Sequence, residues 1–120
     1  FFTEPCIHEG CKEPSLSYSK YCAHHDPDIE TTQKLIIDYI LKNSVIKDIN
    51  GANLRYSGCD FSQKQFYGCN FQKSLWKNTC FTLSLMRLCF FDFALLDSCD
   101  FSKTNIQFSS FGGSSIVNSS

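Results

Sequence analysis

Four residues near the start of the chain carry its clearest chemistry. Cys6, Cys11, Cys22 and His25 stand in the pattern Cys-x4-Cys-x10-Cys-x2-His. Three thiolates and one imidazole complete a tetrahedral zinc set, with no position left open for water or substrate, so the ion reads as structural. It would lock a segment that has no core of its own, and metal binding in such peptides is worth about 10–16 kcal/mol. His24 is the alternative fourth ligand and His8 a weaker one. A disulfide pairing fits three cysteines beside a correctly spaced histidine awkwardly.

The remaining cysteines read differently. Cys59, Cys69, Cys89 and Cys99 each stand two places before a phenylalanine, at Phe61, Phe71, Phe91 and Phe101. No histidine lies beyond residue 25, so no imidazole in the same stretch could activate these thiols as nucleophiles. A buried thiol behaves as a small hydrophobe, and core filling is the expectation for all four. Cys80 falls one position out of phase and is expected at the surface or at a corner.

The element that must position these side chains has a period of five. Every fifth residue from Phe61 is large and apolar: Phe61, Phe66, Phe71, Trp76, Phe81, Met86, Phe91, Leu96, Phe101, Ile106, Phe111 and Ile116. With 42% of the chain hydrophobic, such a run of twelve arises by chance about three times in 100,000. The residue two places earlier is small in every case except Lys64. A period of five fits neither a helix nor a plain strand. It fits a chain that turns a corner every five residues and points two of them inward, a large one to fill the centre and a small one near the corner. Read at a period of twenty, Phe61, Phe81 and Phe101 stack on one face and Phe71, Phe91 and Phe111 on the opposite face. Such coils would stack at about 4.8 Å, and each buried phenylalanine could contribute roughly 1.5–3 kcal/mol.

The stretches CDFSQ (59–63), CNFQK (69–73) and CDFSK (99–103), with ANLRY (52–56) and TNIQF (104–108) more loosely, resemble the unit of the pentapeptide-repeat family: small, Asp/Asn, Leu/Phe, Ser/Thr, any. The resemblance covers roughly residues 48–118 and implies a right-handed quadrilateral β-helix with four repeats per square coil. The Cys/His segment is similar to short prokaryotic zinc-finger modules in which a glycine precedes the second cysteine, as Gly10 precedes Cys11. Two positions strain the pattern. Leu54 to Phe61 spans seven residues. Either two residues bulge near Tyr56–Gly58, or the register holds and Ile49 and Leu54 take the small position; the fit of ANLRY with Leu54 central favours the bulge. Lys64 is expected to snorkel outward from the same distorted coil.

The fold expectation is an all-β solenoid, a quadrilateral β-helix preceded by a small Cys/His module and one α-helix. The parts are a zinc-binding module at 1–27, an amphipathic capping helix at 28–44 and the β-helix at 45–120. In the helix, Ile29, Ile36, Ile37, Ile40 and Leu41 fall near helical spacing, with Asp38 and Lys42 on the other side. Asp26 before Pro27 reads as its start, and its expected job is to cover an open end or side of the solenoid. The beginning, FFTEPC, reads as a trimmed chain, and the end, GGSSIVNSS, stays in phase without a cap, so continuation or stacking on another copy is expected.

Several function classes lose ground on these residues. The formal charge is −1, and residues 1–30 hold six acids against Lys12 and Lys20, the wrong sign for phosphate contacts by the Cys/His module. No stretch approaches the roughly 18 apolar residues of a membrane span. There is no phosphate-binding glycine loop, no paired acid and base in an evident pocket and no open metal position, so no enzyme and no small-molecule substrate are expected. Pentapeptide-repeat proteins that mimic DNA and protect gyrase need stacked outward carboxylates. The repeats here offer Asp60, Asp92, Asp97 and Asp100 against Lys64, Lys73, Lys77, Arg87 and Lys103. The preferred reading is a cytoplasmic interaction scaffold with a protein partner or a second copy. Its outward residues are unusually apolar in one coil: Leu75, Leu83, Leu85, Leu88, Phe90, Phe93 and Leu95, with Phe108 one coil beyond Leu88. The competing reading is that the helix or further chain covers them.

Overall fold

A corner every five residues builds this molecule. In the computed structural model, which describes residues 4–120, the backbone takes a positive φ at every fifth residue from Asp48 to Asn118, between 49° and 67°. The first three residues of the expected 1–27 module lie outside the described residues. Glycine stands at corners 58, 68 and 113, and Asn53, Asn78 and Asn118 tolerate the left-handed region. Leu83, Leu88, Phe93 and Phe108 occupy it as well, against their intrinsic preference.

Between corners run three-residue strands: β1 (Val45–Lys47), β2 (Arg55–Ser57), β3 (Gln65–Tyr67), β4 (Leu75–Lys77), β5 (Leu85–Arg87), β6 (Leu95–Asp97), β7 (Asn105–Gln107) and β8 (Ser115–Val117). They form two parallel sheets, β1-β3-β5-β7 and β2-β4-β6-β8. Each register step is twenty residues, as in Ile46 opposite Phe66, Phe66 opposite Met86 and Tyr56 opposite Trp76. Bridges linking Asn50, Asn70, Phe90 and Ser110, and others linking Asp60, Cys80 and Asp100, make the two remaining faces. The result is a β-solenoid of about 4 turns with all strands parallel.

The interior is filled with rings. Phe61, Phe66, Phe71, Trp76, Phe81 and Phe91 are fully buried. The expected phenylalanine ladders form, with centroids 6.0 Å apart for Phe61–Phe81 and 4.9 Å for Phe81–Phe101 on one face. On the opposite face the spacings are 5.4 Å for Phe71–Phe91 and 5.0 Å for Phe91–Phe111. Trp76 joins the two ladders, 5.2 Å from Phe71 and 5.1 Å from Phe81. Polar residues at the small position are satisfied locally: the Trp76 indole N–H donates to Ser74 Oγ at 2.6 Å, and Ser84 Oγ donates to Phe61 O at 2.9 Å. Cys69, Cys89 and Cys99 fill the same position and are buried, while Cys59 is half-buried.

The expected bulge at Tyr56–Gly58 is absent. Tyr56 pairs with Trp76 in the same twenty-residue register as everything below it, and Ile49 and Leu54 take the small position. The physical reason is Gly51, which stands where Phe71 and Phe91 stand in later coils. Its missing side chain leaves room that two larger neighbours occupy. Leu54 is buried in place of a small residue, and the Tyr56 hydroxyl reaches across to donate to Gly51 O at 2.9 Å. A Cβ on Gly51 would lie 2.2 Å from that hydroxyl. Tyr56 also stacks on Trp76 with centroids 4.0 Å apart.

Helix α1 (Ile29–Lys42) closes the first coil. Ile36 and Ile40 are fully buried against the same core as Ile46, Ile49 and Leu54. The helix cap is Asp28 rather than the expected Asp26: Asp28 Oδ1 accepts from Thr31 N at 3.4 Å, while Asp26 accepts from Asp28 N and from Thr32 Oγ1. The other end explains Lys64. Its ammonium donates to Asn43 O at 2.7 Å and Leu41 O at 3.4 Å, placing a cation on the last carbonyls of the helix. The misfit in the repeat is thus a helix C-terminal clamp in an undistorted coil.

Gly51→Ala should destabilise the protein by about 1–3 kcal/mol through overpacking. The loss should shrink in a Tyr56→Phe background, which removes the clashing hydroxyl. Urea denaturation of the four-member cycle measures this coupling; additive effects would contradict the packing described.

Candidate metal centre

The Cys/His segment folds as a short hairpin followed by a hydrogen-bonded turn at 22–26. Cys6 N donates to Glu13 O and Ser15 N to Glu4 O, both at 2.8 Å, around an antiparallel bridge between Pro5 and Pro14. Gly10, with φ of +79°, turns the loop so that Cys11 N donates to His8 O at 3.0 Å. That left-handed step favours glycine and swings Cys11 back toward Cys6. At the other end His25 N and Asp26 N both donate to Cys22 O, at 3.2 and 3.0 Å. This turn sets His25 beside Cys22, which is what a Cys-x2-His spacing allows.

The four side chains converge. Cys22 Sγ lies 3.3 Å from His25 Nδ1, Cys6 Sγ lies 3.6 Å from the same nitrogen, and Cys11 Sγ lies 3.9 Å from Cys22 Sγ. All four donor atoms fall within 4.8 Å of one another, so the set could bind a metal ion. Cys6 and Cys22 are buried; Cys11 and His25 are partly exposed. No cysteine is in a disulfide. His24, the alternative ligand, stands outside the cluster and is exposed. His8 lies against the cluster in another role: its ring stacks on His25 with centroids 3.8 Å apart and 8° between planes. That contact orients the imidazole, and the histidine count alone gave no sign of it.

The electrostatics suit a cation. Burial holds the His25 pKa below its ordinary value, and the neighbouring His8 and His24 lower it further, which favours the neutral imidazole that ligation needs. Burial pushes the Cys6 thiol up, but hydrogen bonds from the backbone of Cys22 and His8 and from the thiols of Cys22 and Cys11 outweigh it, and its pKa falls below the ordinary thiol value. Burial raises Cys22.

The repeat cysteines sit in a contrasting environment. The thiol hydrogen bond with Cys89 and then burial push the Cys69 thiol up, and burial raises Cys59 and Cys99. Cys69 and Cys89 face backbone carbonyls, with Cys89 Sγ 3.5 Å from Phe66 O. Cys80 is half-buried on an outer face between Asp60 and Asp100.

All eight expected surface residues point outward, but they do not form one flat face. Leu83 and Leu88 stand at the corners on either side of β5, and Leu85 lies on it. Phe108 stacks one coil beyond Leu88, Phe90 follows on the next face, and Phe93 holds the corner before β6. Leu75 and Leu95 are register partners on β4 and β6. The set therefore wraps around the third coil as a girdle. Phe108 is 74% exposed and Phe93 67%, whereas Leu85 and Phe90 are half-buried. The helix does not cover this girdle; its polar clamps, Gln33 to Arg55 N and Lys64 to Asn43 O, hold it at the first coil. Arg87 lies over the Phe108 ring, 5.1 Å from its centroid.

No protein-family model matches the sequence, and no curated protein is detectably similar to it. No helix among the described residues is long and apolar enough to cross a membrane.

His25→Ala should lower metal affinity by at least the roughly 10–100-fold typical of losing a supporting residue, and His24→Ala should leave it within twofold. Competition titration against a chromophoric chelator measures both. Equal losses would contradict the assignment of His25.

Proposed function

We propose that this chain is a non-enzymatic pentapeptide-repeat scaffold, fastened at one end by structural zinc, whose apolar girdle contacts protein, with a second copy of the chain as the first candidate. The single observation that carries the reading is the exposure of Leu83, Leu88, Phe93 and Phe108 at corners where a large apolar residue costs the chain conformational energy. Nothing in the coil requires these residues. Gly68 holds the corner of Leu88 and Phe108 in another coil, Asn53 and Gly113 hold that of Phe93, and Gln63 and Lys103 hold that of Leu83, so the large apolar side chains point outward, to a contact.

Zinc is the metal that suits the donors. With Zn–S near 2.3 Å and Zn–N near 2.0–2.1 Å, a tetrahedron has edges of about 3.8 Å between sulfurs and about 3.5 Å from sulfur to nitrogen. The observed separations of 3.9, 3.6 and 3.3 Å lie close to those edges. Four protein ligands close the shell, and three thiolates that must stay reduced fit a reducing compartment such as the cytoplasm. Rings fill the interior from Phe61 to Phe91 and leave no room for a substrate between those coils. The DNA-mimic reading draws less support: the ladder of Asp60 and Asp100 is broken by Cys80, and Lys77 is the register neighbour of Asp97.

Replacing Leu88, Phe93 and Phe108 together by Asn should leave stability unchanged or slightly raised, since Asn tolerates the left-handed corner. The same variant should abolish concentration-dependent association in sedimentation velocity. A wild-type monomer at every concentration, indistinguishable from the variant, would contradict self-association as the role of the girdle.

A further inference from the structure

The segment that carries the metal ligands also forms the edge of the solenoid. Ser15, Leu16 and Ser17 lie between Cys11 and Cys22 in the chain. On one side they belong to the ligand module: Ser15 N donates to Glu4 O and Leu16 N donates to Tyr21 O, next to Cys22. On the other side they dock on the first coil. Ser17 N donates to Asn50 O at 3.0 Å, Asn50 N donates to Ser17 Oγ at 2.8 Å, and Asn50 Nδ2 donates to Ser15 O at 2.8 Å. Leu16, 2% exposed, enters the solenoid core.

Asn50 passes this contact down the stack. Its Oδ1 accepts from Ala52 N and from Asn70 Nδ2, and Asn50 and Asn70 are bridge partners in adjacent coils. Asn50 is buried, and removing Ser15–Ser17 would strip its backbone N–H and its Nδ2 of these partners while Oδ1 keeps Ala52 and Asn70. The module has little else to hold its shape. Its buried apolar residues among those described are Cys6, Leu16 and Cys22, and two of these are metal ligands. Where the module meets the coil a cleft of about 140 Å³ runs between Glu13 and His24 on one wall and Asn53, Gln72 and Lys73 on the other.

We infer that the module is a metal-dependent edge cap: metal occupancy decides whether the edge strand at Asn50 is paired or open. This rests on the metal reading above. With the ion bound, the hairpin and the Cys22–His25 turn are fixed and present Ser15–Ser17 in register with Asn50. Without it, those residues lose their frame and the cap detaches along the cleft. The unpaired edge of the first coil then becomes a site for pairing with another strand. Because docking and metal binding are linked, weakening the dock weakens metal binding by up to the same factor.

Amide hydrogen exchange on the full chain, metal-loaded and chelator-treated, reads the coupling directly. Elemental analysis comes first, so that a chain that neither carries nor takes up metal overturns the metal reading itself and this inference with it. In a chain that does hold metal, chelation should speed exchange at Ser17, Asn50 and Ala52 at least tenfold while Phe91 and Leu95 in the third coil stay protected. Unchanged protection at Asn50 and Ala52 would overturn the edge cap while leaving the metal site intact. As the reciprocal arm, Ser17→Ala removes one docking acceptor and should lower zinc affinity about 2- to 10-fold, the worth of one hydrogen bond. Unaltered affinity would overturn the coupling.

Discussion

The whole molecule follows from a left-handed corner at every fifth residue. The corner fixes twenty residues per coil, and that number decides which side chains stack. A left-handed conformation costs a residue other than glycine roughly 1–2 kcal/mol, and most corners here are not glycine. They persist because each coil hydrogen-bonds to the next, as Phe61 N does to Cys80 O and Phe81 N to Asp100 O, both at 2.8 Å. The ring ladders inside add contact area along the same axis. Corner strain and stacked core support each other, and neither would hold in a single isolated coil.

That dependence on neighbours makes the ends of the stack special. The first coil has none before it, and the chain supplies two covers. Helix α1 buries Ile36 and Ile40 on the exposed core, and Lys64, a residue of the solenoid itself, clamps the end of that helix. The Cys/His module covers the face at Asn50, which the helix does not reach. The module is too small to bury a core of its own, and in the proposed reading a metal held by the four convergent residues supplies the cohesion that apolar area cannot. On that reading chemistry and architecture meet there, with the metal set serving the edge of the sheet.

Much of this was legible in the residues. The five-residue spacing of large side chains gave the coil length and the pairing of opposite phenylalanine ladders, because a strict period leaves little freedom. The ligand set was legible for a similar reason, since Cys-x2-His fits one turn and Gly10 permits the bend. The first coil was not legible. A glycine in a position reserved for large residues looks like a lost repeat until Tyr56 is seen filling its space from five residues away, and that compensation is three-dimensional. Asp28 displaced Asp26 as the helix cap because both carry the right side chain and only local backbone geometry separates them. The apolar residues fall in one coil by their spacing, but the sequence does not show which corners separate them. The dock at Asn50 does leave a signal in the sequence, an asparagine pair at twenty-residue spacing, Asn50 and Asn70.

The account turns on three thiolates and His25 closing one zinc ion at the end of the solenoid. Zinc-edge X-ray absorption of the full, reduced chain tests that most directly. The account predicts a four-coordinate shell with three sulfurs at about 2.3 Å and one nitrogen at about 2.0–2.1 Å. A shell of nitrogen and oxygen alone, or one with two sulfurs and an added oxygen from water, would contradict it.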